Sequence, residues 1–107
     1  MTIDEARAIA LSFPESSEGS HHGHPDFRVG KTLFATLRPR EGRSAVCLPP
    51  PLALSLGKDR PETFRAMPST ERSGWVDVNL TQIEPDEYRE LVELAHAAAV
   101  ERKKRKP

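Results

Sequence analysis

The stretch DFRVGKTLFATLR, residues 26–38, decides the fold. Two runs that contain β-branched and aromatic residues flank Gly30 and Lys31, and a glycine at the first central position suits the tight turn of a β-hairpin. Closing the hairpin at this turn sets Phe27 opposite Phe34, a favourable aromatic pair across two strands. The stretch therefore predicts an antiparallel hairpin with one apolar face.

The same register assigns the other side chains of the hairpin. It places Val29 opposite Thr32. Because side chains alternate between the two faces of a strand, the face behind the aromatic pair is expected to carry Arg28, Leu33 and Leu37. Two leucines on that face indicate either a thin second core or a dimer surface.

A helix is predicted before the hairpin. Thr2 and Glu5 form a T-x-x-E capping box, in which the hydroxyl accepts from the backbone of Glu5 and the carboxylate reaches back. Apolar residues then recur at helical spacing from Ile3 to Phe13, and Pro14 ends the helix. The polar segment that follows allows a short strand over residues 19–22.

The segments after the hairpin predict further strands and helices. WVDVNL, residues 75–80, alternates apolar and polar side chains and predicts a half-buried strand. A long helix is predicted from Pro85, with acidic residues at the positive end of its dipole. The remaining predictions are a turn over 39–43, a strand over 44–48, a short helix over 52–56 closed by Gly57, and a helical turn over 61–65 that packs through Phe64.

These elements together indicate the fold class. Strands clustered between helices, without a strand–helix–strand rhythm, predict an α+β fold with helices packed on one face of an antiparallel sheet. A chain of 107 residues, 36% of them apolar, fits a single domain. We expect this domain to span residues 1–100 and the basic segment ERKKRKP, residues 101–107, to form a tail that frays.

Composition limits the compartment. Cys47 is the one cysteine, so an intramolecular disulfide is excluded. The first residues, MTIDEARAIALSF, are acidic where a signal peptide is basic, and no apolar run approaches the roughly 20 residues that span a bilayer. We therefore expect a cytoplasmic protein without a membrane segment.

The sequence holds no recognisable catalytic motif. It lacks a G-x-S-x-G elbow, a phosphate-binding glycine loop and a dinucleotide fingerprint. Cys47 lies within an apolar strand, where a buried and inert thiol is the usual outcome. We expect no enzyme activity and no cofactor.

The histidines His21, His22 and His24, with Asp26 close by, offer ligand types that suit zinc or nickel. Adjacent histidines in a strand point to opposite faces, however, and no distant ligand set completes a site. Surface or structural histidines are therefore the preferred interpretation, with a metal site as the alternative.

The stretch HPDFRVGKTLFATL, residues 24–37, followed by GWVDVNL, residues 74–80, and a closing helix resembles the MmcQ/YjbR family. The resemblance covers nearly the whole chain, although His22 stands where the family often has a tryptophan. It implies a fold similar to the secretion-chaperone-like domains and DNA binding through a double-wing arrangement of hairpins. No catalytic residues accompany the family.

The charge distribution agrees in part with DNA binding. Formal net charge is zero, but residues 28–72 contain nine basic and four acidic residues. The two hairpin turns would then act as wings whose cations contact phosphates, helped by the tail. The nucleic-acid candidates are Arg28, Lys31, Arg38, Arg40 and Arg43.

A protein-interaction or small-ligand domain is the alternative. Trp75 lies on the polar phase of the strand over 75–80, and tryptophan is enriched at binding hot spots. The exposed sheet face near Trp75 is the candidate surface for a ligand, a protein partner or a second copy of the chain.

Overall fold

The structure, a computed structural model, describes residues 1–105 apart from the side chain of His21. Short 3-10 turns at Pro39–Glu41 and Leu80–Gln82 follow the third and sixth strands. The helices and strands are, in chain order, α1 (Ile3–Leu11), β1 (Ser16–His21), β2 (His24–Val29), β3 (Thr32–Arg38), β4 (Arg43–Cys47), α2 (Pro50–Asp59), β5 (Phe64–Ala66), α3 (Thr70–Ser73), β6 (Trp75–Asn79) and α4 (Pro85–Arg105).

The six strands form one antiparallel sheet in the order β1-β2-β3-β4-β6-β5. Strands β1 to β4 form a meander. Strand β6 adds to β4, with Val76 opposite Val46, and β5 forms the far edge, with Phe64 opposite Val78. The α+β class predicted from the sequence is confirmed.

Helices cover one face of this sheet. Helix α4 packs on β2, β3 and β4, while α1 packs on β1 and β3 and α2 packs on β5 and β6. One continuous apolar cluster fills the space between the layers and includes Phe27, Phe34 and Tyr88, none of which is exposed. Among the described residues, Ala45 and Cys47 are the buried apolar side chains outside this cluster.

Strand alternation explains that exception, because Ala45 and Cys47 flank the core residue Val46 and so point away from the helices. We call this side of the sheet the open face. Its side chains include Arg28, Thr36, Arg38, Arg43, Cys47, Arg65, Trp75 and Asp77.

The hairpin closes at Gly30-Lys31 as predicted, with Val29 opposite Thr32, but its register differs further on. Phe27 pairs with Ala35 instead of Phe34, because a β-bulge shifts the register between Phe27 and Arg28. Both Phe34 and Ala35 are therefore buried.

The bulge also moves the next part of β3 to the other face. Leu37, expected behind the aromatic pair, is fully buried in the core cluster. Leu33, which precedes the bulge, remains half-buried opposite Arg28. The prediction for Leu37 was wrong because strict alternation does not survive an extra residue in one strand.

Two predictions for the middle of the chain were also wrong. Helix α2 does not close at Gly57; it continues to Asp59. The helical turn expected over 61–65 forms only over 61–63, where the backbones of Thr63 and Phe64 donate to Arg60 O; the edge strand β5 then begins at Phe64, which is buried as predicted. Tertiary pairing decides this segment, since Thr63 accepts from the backbone of Asn79 and the strand adds to β6.

The capping box and the final helix form as predicted. Thr2 Oγ1 accepts from Glu5 N at 3.0 Å, and Thr2 N donates to Glu5 Oε1 at 2.8 Å. These hydrogen bonds hold the pKa of Glu5 below its ordinary value. Helix α4 begins at Pro85, and within residues 1–105 no helix combines the length and apolar character that crossing a bilayer requires.

Candidate nucleic-acid interface

The two basic turns lie at opposite ends of β3. Lys31 precedes the strand, whereas Arg38 ends it and Arg40 lies in the following turn. The strand has seven residues, and at about 3.3 Å per residue its ends are separated by roughly 20 Å. The five nucleic-acid candidates therefore divide into two groups.

The first group holds Arg28 and the exposed Lys31. Arg28 donates to both carboxylate oxygens of the fully buried Asp26, with Nε to Oδ1 at 2.8 Å and Nη2 to Oδ2 at 2.9 Å. This ion pair raises the pKa of Arg28 above its ordinary value, chiefly through the hydrogen bonds and then through charge attraction. A glycine at position 19 leaves room for the pair, because a Cβ there would lie 2.9 Å from Asp26 Oδ1.

The second group lines a depression at the other end of the sheet. The turn between β1 and β2 lies beside the 3-10 turn after β3, since β2 begins where β3 ends. Together they enclose an open cavity of about 610 Å³. Its lining residues are Gly23, His24, Pro25, Arg38, Pro39, Arg40 and Glu41.

A second cavity, of about 220 Å³, adjoins the first on the open face. The two cavities share Arg38 and Glu41, so they lie side by side. The second is also lined by Arg43 from β4, Arg65 from β5 and Asp77 from β6. We call the two adjoining cavities together the arginine groove and define it by Arg38, Arg40, Arg43 and Arg65.

Carboxylates neutralise only part of this groove. Arg38 lies 3.8 Å from Glu41 in an exposed pair. Arg43 Nε donates to Asp77 Oδ2 in a pair that is largely buried, with 18% and 15% of the two side chains exposed. Within residues 1–105 no carboxylate lies within 4 Å of Arg40 or Arg65. Four cations face two anions, and the groove keeps a positive charge.

Arg65 was missed at the sequence level because its segment was assigned to a helical turn. In the structure it lies opposite Asp77 in the register of β5 and β6. The run Thr63-Phe64, a β-branched residue beside an aromatic one, is the signal that favours a strand here. In a strand, the residue after the buried Phe64 must point to the open face.

Trp75 occupies a different part of the open face. It is half-buried opposite Cys47 and lines neither cavity.

The Cys47 thiol is buried. Burial raises the pKa of this thiol, against a smaller lowering by Arg102, and Cys47 Sγ lies 3.3 Å from Ser73 O. Such a thiol is largely protonated near neutral pH and a poor nucleophile.

The histidines contribute to structure in different ways. His96 packs against the rings of Phe13 and Phe34, and its Nε2 lies 2.8 Å from Pro14 O. His22 has a left-handed backbone with φ 51° in the turn before His24. The side chain of His21 lies outside the described part of the chain. Among the side chains that are described, no three histidine, cysteine, aspartate or glutamate residues come together as metal ligands do.

An open-faced α+β sheet with a cationic groove at one end is thus the class of structure that this sequence adopts. The chain belongs to the YjbR family, whose model matches residues 11–98. Its fold is similar to the crystal structure of Deinococcus radiodurans protein DR2400, which carries a domain named DUF419. The TM-score is 0.75 at 19% identity, over 88% of this chain and 75% of that chain. The search of curated proteins found no match.

Proposed function

We propose that this protein binds duplex DNA through the arginine groove. The observation that carries the proposal is the convergence of Arg38, Arg40, Arg43 and Arg65, from three strands and a turn, on two adjoining cavities that hold two carboxylates. The resemblance of residues 24–37 and 74–80 to a family associated with DNA binding supports the same function.

The groove suits the phosphate backbone better than base edges. A guanidinium group forms paired hydrogen bonds with phosphate oxygens, which is the geometry that arginine offers and lysine does not. Arg43 is held in place by Asp77, whereas Arg40 and Arg65 have no carboxylate partner among the described residues and are available for an external anion. Phosphate contacts carry no sequence information, so the expected binding is insensitive to base sequence.

A site-resolved titration tests this function. Duplex DNA is added to isotope-labelled protein, and the amide shifts of residues 38, 40–43 and 65–67 report occupancy of the groove. With four phosphate contacts, the logarithm of the binding constant falls with the logarithm of salt with a slope of about −3.6. This slope corresponds to a loss of about a hundredfold between 50 and 200 mM salt.

Charge reversal at two exposed groove positions sharpens that experiment. R40E/R65E is expected to weaken binding in the groove about a hundredfold near 0.1 M salt, because each phosphate contact contributes about tenfold there. The control K58E/R89E changes net charge equally but reverses exposed cations on α2 and α4. Salt-independent shifts, or equal losses in both variants, would contradict the proposal.

A small anionic ligand is a second candidate, favoured by the size of the larger cavity. A volume of about 610 Å³ lies within the range of small-molecule sites, roughly 300–1,000 Å³.

The open face around Trp75 is a separate alternative site for a ligand or a protein partner. Quenching of this sole tryptophan by a candidate ligand, without any response of the groove to duplex DNA, would favour that alternative.

A further inference from the structure

The C-terminal end of α4 packs against the first hairpin turn. The side chain of Lys103 lies over Gly30, where a Cβ would come within 3.1 Å of Lys103 Cε. Arg102 Nη2 donates to Leu33 O at 3.1 Å. The segment predicted to fray thus continues α4 through Arg105, beside the turn that carries Lys31, while Lys106 and Pro107 lie outside the described residues.

This contact gathers cations that are far apart in the sequence. We call the surface formed by Lys31, Lys103, Lys104 and Arg105 the helix-end surface. Lys103 lies 3.6 Å from Glu15 and Lys104 lies 3.7 Å from Glu101, in exposed pairs that solvent screens. Within residues 1–105, Lys31 and Arg105 have no carboxylate within 4 Å.

The helix-end surface lies far from the arginine groove. Helix α4 has 21 residues and starts after β6, whose last residue Asn79 pairs with Arg43. At 1.5 Å per residue the helix carries its C-terminal end about 30 Å along the molecule. The cations at that end therefore occupy the opposite end of the sheet.

The two surfaces also lie on opposite layers of the molecule. Helix α4 packs on the covered face of the sheet, whereas Arg38, Arg43 and Arg65 project from the open face. DNA is straight over this distance, since its persistence length is about 150 base pairs. One duplex lying in the groove cannot also run along the helix-end surface.

We propose that the helix-end surface is a second duplex-binding surface, so that one protein molecule bridges two DNA duplexes. The inference rests on the proposed function of the groove. Lysines and arginines at a helix end and a turn would contact phosphates as point charges, again without sequence preference.

A two-duplex capture experiment tests the bridge. One duplex is immobilised on beads, and the full-length protein is added with a second, fluorescent duplex. Wild-type protein and the control K58E/R89E are expected to retain the fluorescent duplex. R40E/R65E and K31E/R105E are each expected to bind a single duplex in solution yet to lose at least tenfold in captured fluorescence. The milder K31Q/R105Q repeats the test without new negative charge, and circular dichroism verifies that every variant is folded.

The outcomes separate this inference from the proposed function. Capture by K31E/R105E and K31Q/R105Q at the wild-type level would overturn the second surface; this is also the result expected if two protein molecules, each using its groove, form the bridge. Single-duplex binding that depends on Arg40 and Arg65 without any capture would overturn the bridge and leave the groove intact. If wild-type protein binds no duplex at all, the proposed function fails as well.

Discussion

Gly74 is a position where the backbone excludes every side chain. Its φ is 79°, and a Cβ there would lie 1.7 Å from Leu48 O. The close approach allows Leu48 N to donate to Gly74 O at 2.9 Å, which joins the end of β4 to the start of β6. Gly74, the first residue of the GWVDVNL stretch, therefore has a steric role that the sequence alone does not show.

Gly74→Ala is expected to destabilise the protein by more than about 3 kcal/mol, because the backbone must separate before a methyl group fits. Gly23→Ala is the matched control. Its φ is 80°, but nothing lies within 4 Å of an added Cβ. A loss in stability of about 1 kcal/mol is therefore expected from the left-handed conformation alone. Urea unfolding measures both, and equal losses would contradict the steric account.

Local chemistry at the residue scale was largely predictable. The Thr2–Glu5 capping box depends on two residues at fixed spacing, and both hydrogen bonds form. Asp26 and Arg28 lie two residues apart on one face of β2 and form an ion pair through two hydrogen bonds. The complete burial of Asp26 could not be foreseen, since it depends on β1 lying alongside.

The bulge in β3 is the main feature at the scale of elements. It moves Leu37 into the core and leaves Leu33 on the open face, whereas an unbroken alternation puts both on one side. Turn chemistry fixed the start of the hairpin, but a bulge leaves no reliable mark in the sequence. The same holds for β5, which forms because β6 offers an edge to pair with.

A pair of leucine substitutions distinguishes the bulged register from the regular one. Leu37→Ala is expected to lower the free energy of unfolding by about 3 kcal/mol, as for a fully buried leucine. Leu33→Ala is expected to lower it by about 1 kcal/mol. Both losses are obtained from denaturant midpoints. Similar costs at the two positions would show that the strand alternates without the bulge.

Tyr88 connects α4 to the sheet through a buried pair of hydroxyl groups. Its Oη lies 2.8 Å from Ser44 Oγ, and Ser44 donates to Thr36 O at 2.9 Å. Because Ser44 has one proton to donate, Tyr88 is the donor to Ser44. Burial raises the pKa of Tyr88 to about 12.

This pKa predicts how stability depends on pH. Unfolded tyrosine ionises near pH 10, so between pH 10 and about 12 the unfolded state loses its proton first. The stabilisation from the buried, protonated Tyr88 is fully present below pH 10. Across that window the free energy of unfolding falls by about 1.4 kcal/mol per pH unit. Tyr88 is the only tyrosine, so tyrosinate absorbance reports it directly, and Tyr88→Phe should lack this part of the slope. A spectroscopic midpoint near pH 10 in the folded protein would contradict the buried hydroxyl.

The molecule as a whole has two cationic regions, one at each end of the sheet. The sequence analysis placed candidate cations in two turns, and the strand of seven residues between these turns puts them at opposite ends of the sheet. The groove acquires Arg65 from β5, and the first turn acquires the end of α4. Both additions come from strand order and helix direction, which only the assembled fold provides.

The most direct test of DNA binding is the affinity of the full chain for a fluorescent duplex, measured by anisotropy as salt is raised. The variant R40E/R65E/K31E/R105E reverses both surfaces and should lose detectable binding. The wild-type protein should bind at low salt and weaken about a hundredfold between 50 and 200 mM. Failure of the wild-type protein to bind at low salt, or undiminished binding by the fourfold variant, would contradict the account.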